Sequence, residues 1–186
     1  DSIYFGNNYF RTATVSVKNP KLLPVSAVQI IDLGSAITDA AGQVSQFSIP
    51  CFDQKIQVSQ KTGPLDGVST FDLVAMSKHV LNVAPFTEPW QFIAADINKN
   101  KQVTTFDIVE LRKLILGIYT DFPSNTSWRF HPKNFVFTKT NPAEEALPDT
   151  IQQYISPDAD TTFFEFTGIK VGEMYCCIVS GKASSA

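Results

Sequence analysis

Val68-Ser69-Thr70-Phe71-Asp72-Leu73-Val74-Ala75-Met76-Ser77-Lys78-His79-Val80-Leu81 and Val103-Thr104-Thr105-Phe106-Asp107-Ile108-Val109-Glu110-Leu111-Arg112-Lys113-Leu114-Ile115-Leu116 are two copies of one pattern, offset by 35 residues. Val68/Val103, Thr70/Thr105, Phe71/Phe106, Asp72/Asp107, Val74/Val109, Lys78/Lys113 and Leu81/Leu116 are identical, a density that marks an internal repeat. Leu73, Met76 and Val80 in the first copy, and Ile108, Leu111 and Ile115 in the second, recur at helical spacing. Each copy therefore predicts a helix, over 70–81 and 105–116, with one buried stripe, and the two stripes are expected to face each other. Asn82 and Gly117 stand where a helix ends on a left-handed residue.

The second copy is preceded by Asp96-Ile97-Asn98-Lys99-Asn100-Lys101-Gln102-Val103-Thr104-Thr105-Phe106-Asp107, twelve residues running straight into the helix. Oxygen-bearing side chains fall at positions 1, 3, 5, 9 and 12. A hard cation such as Ca²⁺ takes about 6–8 oxygen ligands, and this spacing wraps them around one point, with position 7 supplying a backbone carbonyl and position 8 an apolar anchor. The candidate ligands are Asp96, Asn98, Asn100, Gln102 through its carbonyl, and Asp107, with Thr104 acting through a water. Position 6, usually glycine, is Lys101, and position 12 is Asp rather than Glu. A non-glycine residue in the left-handed region costs about 1 kcal/mol, tolerable beside a bound metal.

The first copy is degenerate, since aligning Asp72 with position 12 puts Lys61, Gly63 and Leu65 at positions 1, 3 and 5. Asp72 and Ser69 remain, Gly67 offers a carbonyl, and Asp66 is displaced by one position. A second ion there requires altered loop geometry. The alternative is that Ser69 and Asp72 cap the helix.

Outward from the repeat, the period drops to two. Ala13, Val15 and Val17 alternate with Thr12, Thr14 and Ser16; Val25, Val28 and Ile30 follow the Asn19-Pro20 turn; Asp39-Ala40-Ala41-Gly42 turns between 36–38 and 44–49; Ile56 and Val58 share a face. Beyond Pro123 the same rhythm predicts strands at 128–130, 134–138 and 162–171, around a loop at 140–148. The fold class expected is α+β, with antiparallel β-sandwich material flanking a two-helix calcium-binding pair. The expected domains are 1–61, 62–122 and 123–186. Either two β modules bracket the helices or one sandwich has them inserted; the shortness of the first β part favours shared packing.

Composition narrows the function. The 186 residues carry 15 basic and 18 acidic side chains with no basic run, so a nucleic-acid footprint is not expected. Apolar runs such as the one within 109–118 are broken by Glu110, Arg112 and Lys113 and fall short of a membrane span, so no membrane insertion is expected. The start at Asp1 suggests a processed chain or a piece of a larger one. Cys51, Cys176 and Cys177 allow one intrachain disulfide, Cys51 with either neighbour, or three buried thiols. Catalytic raw material is thin. His79 and His131 lack a zinc or triad pattern, Glu144-Glu145 reads as solvated charge, and Cys176-Cys177 has no basic partner near in sequence. The chain is not expected to be an enzyme.

Asp66-Gly67-Val68-Ser69-Thr70-Phe71-Asp72-Leu73-Val74 and the stretch 96–116 resemble the two copies of a type I dockerin repeat, over about residues 62–118. Val15-Ser16-Val17, Ala36-Ile37-Thr38-Asp39-Ala40-Ala41-Gly42-Gln43 and the strand after Cys51 are similar to transthyretin-like or Cna-B-type sandwiches. With Asn125-Thr126-Ser127-Trp128-Arg129-Phe130 and Phe166-Thr167-Gly168-Ile169-Lys170-Val171-Gly172, the whole resembles terminal modules of large secreted bacterial adhesin-like proteins. The resemblance implies a calcium-rigidified module at the bacterial cell surface. The apolar segment 1–10 is expected either to pair as an edge strand in the chain's own sandwich or to add to the sheet edge of a neighbouring copy or module, the partners expected here. The alternative it implies is a dockerin that recruits a cohesin-bearing partner, with Ser77-Lys78 and Arg112-Lys113 as recognition positions. Asn125-Thr126-Ser127 is also an N-glycosylation sequon, and Asp1-Ser2-Ile3, Asp149-Thr150-Ile151 and Asp160-Thr161-Thr162 match a short O-glycosylation pattern.

Overall fold

The computed structural model describes residues 10–33, 36–60, 63–156 and 161–175. The strands are β1 (Phe10–Lys18), β2 (Gln29–Ile30), β3 (Ala36–Ile37), β4 (Gln43–Pro50), β5 (Phe52–Ser59), β6 (Trp128–Pro132), β7 (Thr150–Ile155) and β8 (Thr161–Lys170). Between β5 and β6 lie α1 (Thr70–Val80), α2 (Pro89–Ala95) and α3 (Thr105–Ile115). The fold class is α+β.

One sheet has the order β4-β1-β8-β6 and the other β3-β2-β5-β7, so strands from both ends of the chain interleave in each. The alternation legible in the sequence sets which face is buried. Ala13, Val15 and Val17 of β1, Ile56 and Val58 of β5, and Phe164 and Phe166 of β8 enter one core, which Phe130 and Ile155 complete. One pairing departs from the antiparallel expectation: β1 and β8 run parallel, with Val15 opposite Phe164 and Val17 opposite Phe166. Parallel neighbours need a crossover, and here most of the chain, helices included, lies between them. β1 is hydrogen-bonded on both sides, to β4 and β8, and so offers no free edge. The apolar segment ahead of it, 1–9, lies outside the described residues.

A second core belongs to the helices. Leu73 and Met76 of α1, Ile93 and Ala94 of α2, and Ile108, Leu111 and Leu114 of α3 pack with Phe122, Leu147, Ile169, Val171 and Met174. Residues beyond 123 thus serve both cores. Each long helix ends as its sequence indicates: Asn82 (φ 58°) and Gly117 (φ 72°) are left-handed. After α1, the Asn82 and Val83 N–H groups donate to the carbonyls of His79 and Lys78; after α3, those of Gly117 and Ile118 donate to Leu114 and Lys113. These are two copies of the Schellman ending.

Three elements differ from the sequence expectation. The strand expected over 134–138 is a loop, because the chain turns at once, the Phe135 N–H donating to the Pro132 carbonyl at 2.9 Å. Its alternating Phe135 and Phe137 pack around the His131 ring and on the helical core instead of entering a sheet. β7 was not expected; it is a sheet edge with exposed Gln152 and Gln153 in place of an apolar rhythm. α2 is only seven residues long, too short for a period to show, although Glu88-Pro89 with Gln91 is a start signal: Pro at the first position inside a reciprocal cap.

Candidate functional site

The 96–107 loop begins where α2 ends, Asp96 being its C-cap residue. The backbone curls inward at Lys99 (φ 60°) and Lys101 (φ 72°), the latter at the position where glycine is usual. Asp96 Oδ1 accepts the Asn100 N–H at 3.0 Å and Oδ2 the Lys101 N–H at 2.9 Å. Asn98 Oδ1 accepts from Asn100 and Asn100 Oδ1 from Gln102, at 3.0 and 2.9 Å. From the far end, Asp107 Oδ1 accepts the Asn98 N–H at 3.2 Å. Asp96, Asn98, Asn100 and Asp107 are therefore drawn together. Gln102 is exposed and joins the loop through its backbone. Thr104 is the N-cap of α3: its hydroxyl receives the Phe106 N–H and donates to Asp107 Oδ2.

The loop carries Lys99 and Lys101 against Asp96 and Asp107, but among the described residues the two carboxylates are buried without an ion pair. Asp107 is 0% and Asp96 5% exposed. Burial pushes the Asp96 carboxyl above its ordinary range; the Lys101 N–H pulls it back, the Asp107 charge adds to the rise, and the Asn100 N–H and Arg129 oppose it. Among the described residues no three Asp, Glu, His or Cys side chains converge, so a cation here would rest on two carboxylates completed by amide and carbonyl oxygens. That donor set is all oxygen, which suits a hard cation such as Ca²⁺. Two asparagines that the sequence reading did not place here brace the loop. Asn125 Nδ2 donates to the Asp96 carbonyl and Asn141 Nδ2 to the Lys101 carbonyl, each at 2.8 Å. The sequon nitrogen of Asn125 is thus already engaged.

The degenerate first loop has a different shape, left-handed at Gly63 (φ 67°) and Gly67 (φ 75°), its third and seventh positions. Ser69 and Asp72 form the reciprocal cap of α1, Asp72 Oδ2 accepting the Ser69 N–H at 2.8 Å and hydroxyl at 3.0 Å. Asp72 Oδ1 accepts the Met174 N–H at 2.7 Å. Asp66 is exposed, and its carboxylate folds back over Gly63. Lys61 lies outside the described residues. At this loop sits Lys170, the last residue of β8, 5% exposed. Burial lowers its pKa to about 8 against the pull of Asp66, Glu173, Asp121 and Asp72. A lysine on the inward phase of a strand, in step with Phe164 and Phe166, was the available signal.

Beside the loops, α1 and α3 present a duplicated apolar face. Phe71 and Phe106, Val74 and Val109, Leu81 and Leu116, and Val83 and Ile118 are all exposed, each pair separated by the repeat offset, with Phe71 67% and Phe106 72% accessible. A groove of about 490 Å³ runs between the helices, lined by Leu73, Val74, Leu81 and Leu116 with Ser77, Lys78 and Arg112. Lys113 is turned aside, bound to Glu110 at 2.9 Å and to the Tyr119 hydroxyl at 3.2 Å.

The remaining titratable groups have structural partners. His79 Nδ1 accepts the Phe86 N–H at 3.0 Å, and its ring stacks on Phe86 at 4.1 Å. His131 Nδ1 lies 2.7 Å from the Pro132 carbonyl. Glu145 clamps the N–H groups of Thr138 and Lys139. Cys51 is buried and has no disulfide partner among the described residues; Cys176 and Cys177, its expected partners, lie outside them. Among the described residues no helix is long and apolar enough to cross a membrane. Comparison with family models, curated proteins and solved structures finds no match for this chain.

Proposed function

We propose that the chain is a calcium-stabilised structural or adhesive module of an extracellular bacterial surface protein or filament, its helical pair a dockerin-like repeat set in β-sandwich material of transthyretin-like or Cna-B-like type. The observation that carries this reading is the pair of buried carboxylates, Asp96 and Asp107, held across a twelve-residue oxygen-rich loop with no salt bridge to either among the described residues. Ca²⁺ would be held by Asp96, Asn98, Asn100, the Gln102 carbonyl and Asp107, and would place positive charge directly between the two buried carboxylates. With two charged ligands the affinity expected is that of extracellular modules, a Kd of roughly 10⁻⁴–10⁻³ M. The loop joins α2 to α3 and is tied by Asn125 and Asn141 to the segments around β6, so the ion would stiffen the joint between helices and sheets. Calorimetry on chelator-stripped protein tests this; absence of calcium heat would sink it.

A second reading, a dockerin recruiting a cohesin-bearing partner, is favoured by the duplicated exposed face. Repetition preserves buried residues for packing, but among the described residues nothing covers most of Phe71 or Phe106. Phe71→Glu with Phe106→Glu separates the readings: cohesin binding lost with calcium binding retained supports recruitment, whereas a wild-type chain that binds no member of a cohesin panel removes it.

A further inference from the structure

The two loops are built alike at their ends and unlike at their centres. At position 12, Asp72 and Asp107 each accept the N–H and hydroxyl of the cap residue three places earlier, at 2.8 and 3.0 Å from Ser69 and at 2.9 and 3.1 Å from Thr104. Both carboxylates are buried, Asp72 being 1% exposed. Among the described residues the buried carboxylate of neither loop has an ammonium or guanidinium within salt-bridge reach. What sets the first loop apart is that β8 brings the buried Lys170 ammonium onto its backbone.

Lys170 Nζ donates to the Pro64 carbonyl of the loop at 2.8 Å and to the Val171 carbonyl at 3.3 Å. The charges of Asp66, Glu173, Asp121 and Asp72 all act on it, and the Phe122 ring lies 5.7 Å away. Glu173 is pressed onto the loop closely enough that a Cβ at Gly67 would come within 2.9 Å of its carboxyl carbon. An ammonium is a compact point charge with three donors, able to draw in carbonyls and offset carboxylates as a bound ion does.

We infer that the Lys170 ammonium is the built-in cation of the first loop, holding residues 63–72 as a divalent ion holds 96–107, so that the chain takes one calcium ion rather than two. The count of one rests on the calcium reading of the second loop; the role of Lys170 does not. Lys170 thereby fastens the end of β8 to the start of α1, beside the Met174 N–H bond to Asp72.

Two measurements on the full chain keep the ideas apart. Calcium titration followed by calorimetry and native mass spectrometry should give one ion per wild-type chain. Two ions would overturn the inference, whereas none would remove the calcium reading and leave Lys170 to the second measurement. In excess chelator, Lys170→Met should lower the melting midpoint by about 10 °C, the order expected when a buried, hydrogen-bonded charge loses its partner. Adding Asp66→Asn and Glu173→Gln should restore most of the loss, or restore folding if Lys170→Met alone does not fold. An unchanged midpoint in Lys170→Met, or no recovery on neutralising the acids, would show a packing role only and overturn the inference.

Discussion

Asp107→Asn and Asp72→Asn form a matched pair, because the repeat gives both carboxylates the same cap and the calcium reading gives only one of them an ion. Each substitution weakens a helix cap, about 1 kcal/mol, and leaves a buried N–H poorly paired, about 1–3 kcal/mol. In excess chelator both variants should therefore lose about 2–4 kcal/mol, with Asp72→Asn toward the upper end because its second oxygen accepts the buried Met174 N–H at 2.7 Å, whereas that of Asp107 accepts the part-buried Asn98 N–H at 3.2 Å. Calcium should then split them. At 10 mM calcium, about 10–100 times the expected Kd, an ion bound only to the folded chain adds about 1.4–2.7 kcal/mol, and for a chain of this length that is about 3–11 °C in melting midpoint. Asp72→Asn should keep this rise and Asp107→Asn should lose it. Melting curves by circular dichroism, with 10 mM calcium and with chelator, measure all four midpoints. Equal calcium shifts in the two variants would refute the assignment of the ion to the second loop.

Three further outcomes are expected. Burial lowers the pKa of His131 and of His79 below 6.5, so the unfolded chain takes up these protons first. Their contribution is complete above about pH 6.5 and is lost as the pH falls through the folded-state values; denaturant titrations should show stability falling from pH 7 to 5, less steeply in His131→Phe. Phe71→Glu with Phe106→Glu alters two exposed residues and should leave stability within about 0.5 kcal/mol per site by urea unfolding. Gly172 has φ +89°, and a Cβ there would lie 3.0 Å from Leu111 Cδ1 and 3.1 Å from Val68 Cγ2. Gly172→Ala should cost roughly 1–3 kcal/mol by the same assay, from backbone strain and crowding together.

Features that depend on neighbours a few residues apart are legible in the amino-acid order alone. Helix ends at Asn82 and Gly117, the inward faces of Ala13-Val15-Val17 and Ile56-Val58, the inward turn at Lys101 and the alternative of a Ser69–Asp72 cap all follow from local geometry, and all are where the pattern puts them. The same local logic misplaced Phe135 and Phe137, since alternation records that two side chains are buried and not which core buries them. Only the tertiary structure decided the parallel seam between β1 and β8, the edge strand β7 and the arrival of Lys170 at the first loop. Lys170 and Pro64 stand 106 residues apart. No short-range preference links them; they meet because β8 threads from the sheet core into the helical core, where a buried charge must find carbonyls and carboxylates.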